Sequence, residues 1–338
     1  MRVEAVTTRE IVASALERVG VAPEAAAIQA RWLVEGELRG HPSHGIQRLP
    51  VLVERVRKGL LDAGAEPRLE WGGEATLLVD GDGGLGPAVA TRALAALEPR
   101  ARRLGVAVAA VRNSGHLGLL SPYVESVAAG GLVGIALTTS EALVHPFGGA
   151  RALIGTNPIA VGIPTPGEPF ALDMATGEIS MGKVLAYAQR GQELEPGWAI
   201  DGTGQATRDP AAVAAIAPFG GVKGYGLGLA FELLVGILSG TAFGTDVLGT
   251  LDTEHPVTKG DLFICLAPER FGVGPETMER LGAYLEELRG SAVASEPVAV
   301  PGDRARARRR RALAEGIELP DELVARLREL CPAAEALS

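Results

Sequence analysis

Five short runs in the middle of the chain, at 75–80, 106–111, 133–138, 159–163 and 262–266, are rich in Val, Ile, Leu and Ala and mostly apolar at successive positions. A half-buried strand alternates apolar with polar residues, whereas a strand apolar on both sides needs cover on both sides. Helical stretches at about 88–104, 121–130, 210–216 and 223–239 lie between and beside these runs. Helices covering both faces of a sheet make an α/β core. The first seventy residues have another texture. Thr7 followed by Glu10 has the form of a capping box opening a helix that Gly20 closes; Pro23 suits the first turn of a second helix to about Arg39, and a third follows Gly45 through Leu60. From about residue 275 the pattern returns to helix and loop, ending in a helix around 322–330.

Composition narrows the classes. With 47% hydrophobic and 22% charged residues over 338 positions, the chain is not disordered throughout. Its 45 glycines follow no three-residue period, so it is not collagen-like. No stretch reads as roughly 18 uncharged apolar residues, and Met1 is followed by Arg2, Glu4 and Arg9, so a cytoplasmic protein is expected. The net charge of −9 argues against a nucleic-acid or anionic-membrane partner. The one basic cluster, 304–311, reads as a solvated helix face. Cys265 and Cys331 lack metal-ligand spacing and are expected to be reduced and structural.

Gly81, Gly83 and Gly86 form a GxGxxG between a strand and a helix, the setting of a dinucleotide-binding turn. In so glycine-rich a chain the match arises readily by chance, and Pro87 stands where the helix should present a free N–H. A plain strand-to-helix turn is the preferred reading.

Scarce residues are more informative. The chain has only two Asn, Asn113 and Asn157, and 4 Lys against 28 Arg. Ser43, His44 and Arg48 bring a hydroxyl, an imidazole and a guanidinium within six residues, enough to bind a carboxylate or, equally, to form a capped surface turn. Asn113-Ser114-Gly115-His116 follows a strand, where His116 can exchange a proton with a ligand oxygen or sit buried on backbone. His145 to Gly149 and Gly155-Thr156-Asn157-Pro158 are glycine turns whose N–H groups can meet oxygens. Gly220 to Gly224 opens a helix, with Lys223 either a phosphate-binding point charge or a solvated lysine. A carboxylate clamp, a proton-exchanging group and phosphate-friendly turns suit hydride exchange between a nicotinamide and a small oxo or hydroxy acid.

In order along the chain, Ser43-His44-Gly45 with Arg48, Asn113 to Gly118, Pro146 to Gly149, Gly155 to Pro158, Asp173-Met174-Ala175-Thr176, Gly182-Lys183, Pro196 to Ala199 and Lys223 to Leu227 resemble the type-2 malate/L-lactate dehydrogenase family. That family includes ureidoglycolate and sulfolactate dehydrogenases and piperideine-2-carboxylate reductases. The resemblance implies a non-Rossmann α/β fold around a large mixed sheet that binds NAD or NADP, and a homodimer. It implies His116 as proton donor or acceptor; Ser43, His44 and Arg48 at the substrate carboxylate, with Thr156 and Asn157 near; and Ser140, Pro146, Phe147, Gly148, Asp173, Met174, Ala175, Thr176, Gly182 and Lys223 at the cofactor. Gly302, Asp303 and Arg304 are expected to close over it. His41-Pro42 stands where an acidic residue often precedes the serine.

The division expected is a helical part over 1–70 carrying the substrate segment, a cofactor-binding and catalytic α/β core over 71–274, and a helical part over 275–338 packing back on the first. The activity expected is interconversion of a 2-hydroxy and a 2-oxo acid. A cyclic imino-acid reductase is the second expectation, and a catalytically silent nucleotide-binding protein the third.

Overall fold

All five apolar runs become strands of one seven-stranded sheet. The computed structural model describes residues 1–293, 298–331 and 334, so the last few positions of the part expected over 275–338 lie outside the described residues. A short strand β1 (Arg2–Val3) leads into helices α1 (Ala5–Glu17), α2 (Pro23–Leu38) and α3 (Leu49–Arg57). The core then runs β2 (Arg68–Trp71), β3 (Thr76–Gly84), α4 (Gly86–Leu104), β4 (Val106–Ser114), α5 (Ser121–Ala129), β5 (Val133–Thr138), β6 (Ala142–Val144), β7 (Ile154–Gly155), β8 (Ile159–Ile163) and β9 (Phe170–Met174). Next come α6 (Met181–Gln189), β10 (Ala199–Ile200), β11 (Ala206–Thr207), β12 (Ala215–Ile216), α7 (Val222–Ser239) and β13 (Asp261–Leu266). Helices α8 (Pro275–Gly290) and α9 (Asp303–Glu315), strand β14 (Ile317–Glu318) and α10 (Asp321–Leu330) follow.

The large sheet has the order β2-β3-β4-β13-β5-β8-β9. Of its neighbouring pairs only β3 with β4 is parallel, and the others are antiparallel. Successive residues of β13 point to opposite faces. Phe263 and Cys265 pack with α4 and α5 residues such as Leu97 and Tyr123, whereas Leu262 packs with Val235 of α7. Both faces are covered, as the doubly apolar runs require. A five-stranded sheet, β11-β10-β12-β6-β7, carries the loops beside it. Both chain ends share one core: β1 pairs with β14, and Leu16, Leu33 and Leu49 lie with Ile317, Val324 and Leu327.

Several expectations are corrected. The first helix starts at Ala5, because β1 ends at Val3 and the Thr8 hydroxyl then bonds Glu4 O at 2.8 Å; Thr7 lies inside the helix and makes no capping box. The third helix is shorter, since two 3-10 turns, Pro42–His44 and Ile46–Arg48, occupy its expected start. The helix expected over 210–216 is a 3-10 turn, Pro210–Ala212, followed by β12, whose two residues gain full burial by pairing with β10 and β6. Helix α6 went unforeseen because only Val184 of its residues is buried, too little for an apolar stripe. The 304–311 cluster lies on α9 but is not simply solvated: Arg306 is buried, and Arg309 pairs with Glu35 of α2 at 2.8 Å. Helix α7, with Lys223 and Glu232 its only charges, is long and apolar enough to cross a membrane by length and mean hydropathy (1.4), though a third of it is buried here.

The glycines at 81–86 serve backbone contact. Strand β3 continues to Gly84, and a Cβ on Gly81 would stand 2.6 Å from Asn113 O. One on Gly86 would stand 2.4 Å from Gly115 O and 2.5 Å from His116 O. Gly86→Ala is therefore expected to destabilise the chain by about 1–3 kcal/mol through a forced backbone shift. Urea unfolding measures this, and a wild-type midpoint in the variant would refute the contact.

Candidate active site

The turn carrying Ser43 and His44 is seated on the last turns of α2. His41 N donates to Gly36 O (2.8 Å), Ile46 N donates to the Glu37 carboxylate (2.8 Å), and a Cβ on Gly36 would meet His44 O at 2.7 Å. Ser43 Oγ lies 3.0 Å from His44 Nδ1. Gly182, in the first turn of α6, lets that helix approach the same turn, since a Cβ there would stand 2.9 Å from the Ser43 Cβ. The His44 and His116 rings lie with centroids 5.6 Å apart.

His116 arrives at the end of β4. Asn113 adopts φ +49, a left-handed conformation that Asn tolerates better than most residues, and its side-chain amide donates to Asp80 at 3.1 Å. Gly118 N donates to His116 Nδ1 (3.1 Å), leaving Nε2 for a ligand oxygen. The Tyr123 hydroxyl donates to Leu117 O at 2.8 Å and pins the loop to α5.

A second group forms where β5, β7 and β9 end. Ser140 Oγ accepts from Thr156 N (2.8 Å) and lies 3.0 Å from Thr156 Oγ1, while Thr176 donates to Thr156 O through N (2.7 Å) and Oγ1 (2.9 Å). Asn157 is fully buried at φ +30; its Oδ1 accepts from Ser140 N, and its Nδ2 donates to Gly228 O and to Glu232 of α7. At the start of α7, Gly220 and Gly221 take φ +55 and +64, and Lys223 is exposed on the first turn. A Cβ on Gly221 would stand 3.3 Å from the Phe147 ring, which places the Pro146 to Gly148 turn beside that helix start.

Two further assigned segments have contacts of their own. Met174 and Ala175 lead out of β9, but the Asp173 carboxylate accepts from Leu120 N (3.0 Å) and Ser121 N (2.7 Å) at the head of α5, and burial raises its pKa. Gly302, Asp303 and Arg304 lie at the start of α9, where Asp303 pairs with Arg289 of α8 and with Arg306. Among the described residues, none of their hydrogen bonds reaches the two-histidine cluster.

Three charged residues near these groups went unselected from the sequence. Glu232 takes N–H groups from Gly155 (3.0 Å) and Gly244 (2.6 Å) besides Asn157; standing as the lone acid in an apolar helix was its available signal. Lys259, fully buried, pairs with Asp261 at the head of β13, and its rarity as a lysine could have drawn attention to it. Glu141 binds a distant loop and carried no local signal.

A model of the malate/L-lactate dehydrogenase family matches residues 3–328. The chain belongs to that family. L-sulfolactate dehydrogenase of Methanocaldococcus jannaschii is 36% identical over 326 residues, covering 96% of this chain and 94% of the relative. Ureidoglycolate dehydrogenase (NAD(+)) of Escherichia coli K12 is 34% identical, covering 96% and 94%. A solved dehydrogenase structure from Sinorhizobium meliloti superposes with a TM-score of 0.93 at 50% identity, covering 98% of each chain.

In this member of the malate/L-lactate dehydrogenase family the histidines are held neutral. Burial, then the nearby Arg48 charge, lowers the His44 pKa to about 4, and burial with Arg48, His44 and Lys259 puts His116 well below the ordinary value. A histidine that resists protonation only when folded leaves stability intact above pH 6.5; stability then falls as the unfolded chain takes up the proton, and the loss levels off at the folded pKa near 4. For His44 the loss between pH 6.5 and 4 is about 3 kcal/mol. Urea unfolding at pH 7 and pH 4 is expected to show a smaller acid loss for His44→Gln than for wild type, by about that amount. Equal losses in the two proteins would contradict the assignment.

Proposed function

We propose that this protein is an NAD(P)-dependent oxidoreductase that interconverts a small 2-hydroxy acid and its 2-oxo acid. The observation that carries the reading is the meeting of the Ser43-His44 turn with His116, from opposite ends of a long stretch of sequence, in a chain of this family. Arg48 offers a guanidinium for the substrate carboxylate, with Ser43 and His44 adding hydrogen bonds and Thr156 and Asn157 set nearby. His116 exchanges the proton with the substrate oxygen through Nε2.

The residues present fit a dinucleotide. Left-handed Gly220 and Gly221, the head of an 18-residue helix and exposed Lys223 make a phosphate cradle, and a Cβ on Gly148 would meet nothing within 4 Å, so backbone there is open to close approach. Hydroxyl-bearing Ser140 and Thr176, with Gly182, would line the same ligand, and the Asp173–Ala175 backbone and the Gly302–Arg304 segment complete the proposed set. A nicotinamide held there supplies or accepts the hydride. A largely antiparallel sheet supports the non-Rossmann reading of this cofactor fold. We also propose that the protein acts in the cytoplasm, where buried, free Cys265 and Cys331 stay reduced.

A homodimer is part of the proposal. Helix α7 buries Gly224, Gly228, Glu232 and Val235 on the sheet but leaves Leu233, Leu234, Ile237 and Leu238 exposed, Ile237 by 75%. A contiguous apolar face of this kind marks an association surface. Light scattering is expected to give a dimer for wild type and a monomer for Ile237→Glu; a dimeric variant or a monomeric wild type would remove this surface.

With NADH or NADPH and a panel of 2-oxo acids, purified protein is expected to oxidise the nucleotide. His116→Ala should lower kcat by about a hundredfold or more, the scale of a lost general acid-base, while still binding nucleotide. Undiminished turnover in the variant would sink the mechanism. Including piperideine-2-carboxylate in the panel tests the imino-acid reading, and nucleotide binding without turnover on any compound would return the silent-binder reading.

A further inference from the structure

Between α7 and β13 the chain closes a loop on itself. Leu248 N donates to Thr258 Oγ1 (2.8 Å), Thr258 N donates to Leu248 O (3.2 Å), and Gly249 sits at φ +80 where a Cβ would stand 2.4 Å from Pro256 O. Side chains from α3 and its approach grip three of the loop's carbonyls. Arg48 donates to Thr250 O, Arg55 Nη1 to Asp252 O (2.8 Å) and Lys58 Nζ to Thr253 O (3.1 Å). From the other side, a single carboxylate oxygen of Glu141 accepts from Thr250 N (2.7 Å), Leu251 N (2.8 Å) and the Thr250 hydroxyl (3.1 Å). Thr250, 3% exposed, is therefore held to Glu141 through its donors while its carbonyl holds Arg48.

A guanidinium has five N–H donors in a rigid plane, so fixing one of them sets the direction of the rest. Among the described residues the Thr250 carbonyl is the hydrogen-bond acceptor that Arg48 uses, which leaves its other N–H groups for an anion. Glu141 also offsets electrostatically part of the burial of Arg48. From these contacts, and resting on the reading that Arg48 holds the substrate carboxylate, we infer that Glu141 is a positioning residue for substrate. It anchors Thr250, and Thr250 aims Arg48. Glu141 touches neither hydride nor proton, so its influence falls on substrate binding and not on the chemical step.

The test uses the full-length protein with NADH and oxamate, a carboxylate that resembles a 2-oxo acid and is not reduced. Glu141→Gln, which preserves shape and removes the charge, is expected to raise the oxamate Kd and the KM of the 2-oxo acid about tenfold, the scale of weakened hydrogen bonds to a charged group. The NADH Kd should stay within about twofold and kcat within about threefold, a split that general misfolding does not produce. In Glu141→Gln combined with Arg48→Lys, the oxamate Kd should match that of Arg48→Lys alone, because both substitutions break one chain of contacts. An unchanged oxamate Kd in Glu141→Gln, or full additivity in the double variant, overturns the inference while leaving the carboxylate role of Arg48 standing. An unchanged oxamate Kd in Arg48→Lys overturns that role and the inference with it.

Discussion

Strand β13 is the element on which the rest depends. It comes late in the chain, yet it inserts between β4 and β5 and pairs antiparallel with each over six residues, Asp261 lying beside both Val111 and Thr138. Because β4 and β5 run the same way on its two sides, they end at the same edge of the sheet. One delivers the loop with His116, and the other the loop with Ser140 and Glu141. Without the intervening strand these loops would have no shared frame, and a proton-exchanging group and a ligand cradle would be unrelated surface turns.

How much of this was legible follows from what each signal depends on. The strands 106–111, 133–138, 159–163 and 262–266 declared themselves because burial on both faces strips them of polar residues. The two-residue strands β10, β11 and β12 carry no period at all and exist only through pairing. Scarcity pointed to Asn113 and Asn157, and the structure adds the reason: both stand at positive φ where the chain turns into a site loop. The acids were missed. Glu141 and Glu232 act on backbone N–H groups more than ten residues away; Glu232 stood out only as the lone acid of an apolar helix, and nothing in a local window distinguishes Glu141 from the many other carboxylates of this chain.

The same partner-at-a-distance logic holds the periphery. Glu35 of α2, Arg39 just after it, Glu125 of α5 and Arg306 and Arg309 of α9 form one connected set of ion pairs, much of it buried. Burying such charges in pairs contributes little net stability, but removing one partner strands the other. The network therefore serves mainly to fix how α9 lies against α2 and α5, and α2 is the helix that seats Ser43 and His44.

One consequence concerns the order in which the protein can be completed. Helices α1 to α3 share their core with Ile317, Leu319, Val324 and Leu327, and β1 has β14 as its partner. During synthesis the first sixty residues leave the ribosome some 250 residues before those partners exist. The part of their apolar faces that meets these residues stays uncovered until the chain beyond residue 317 has been made.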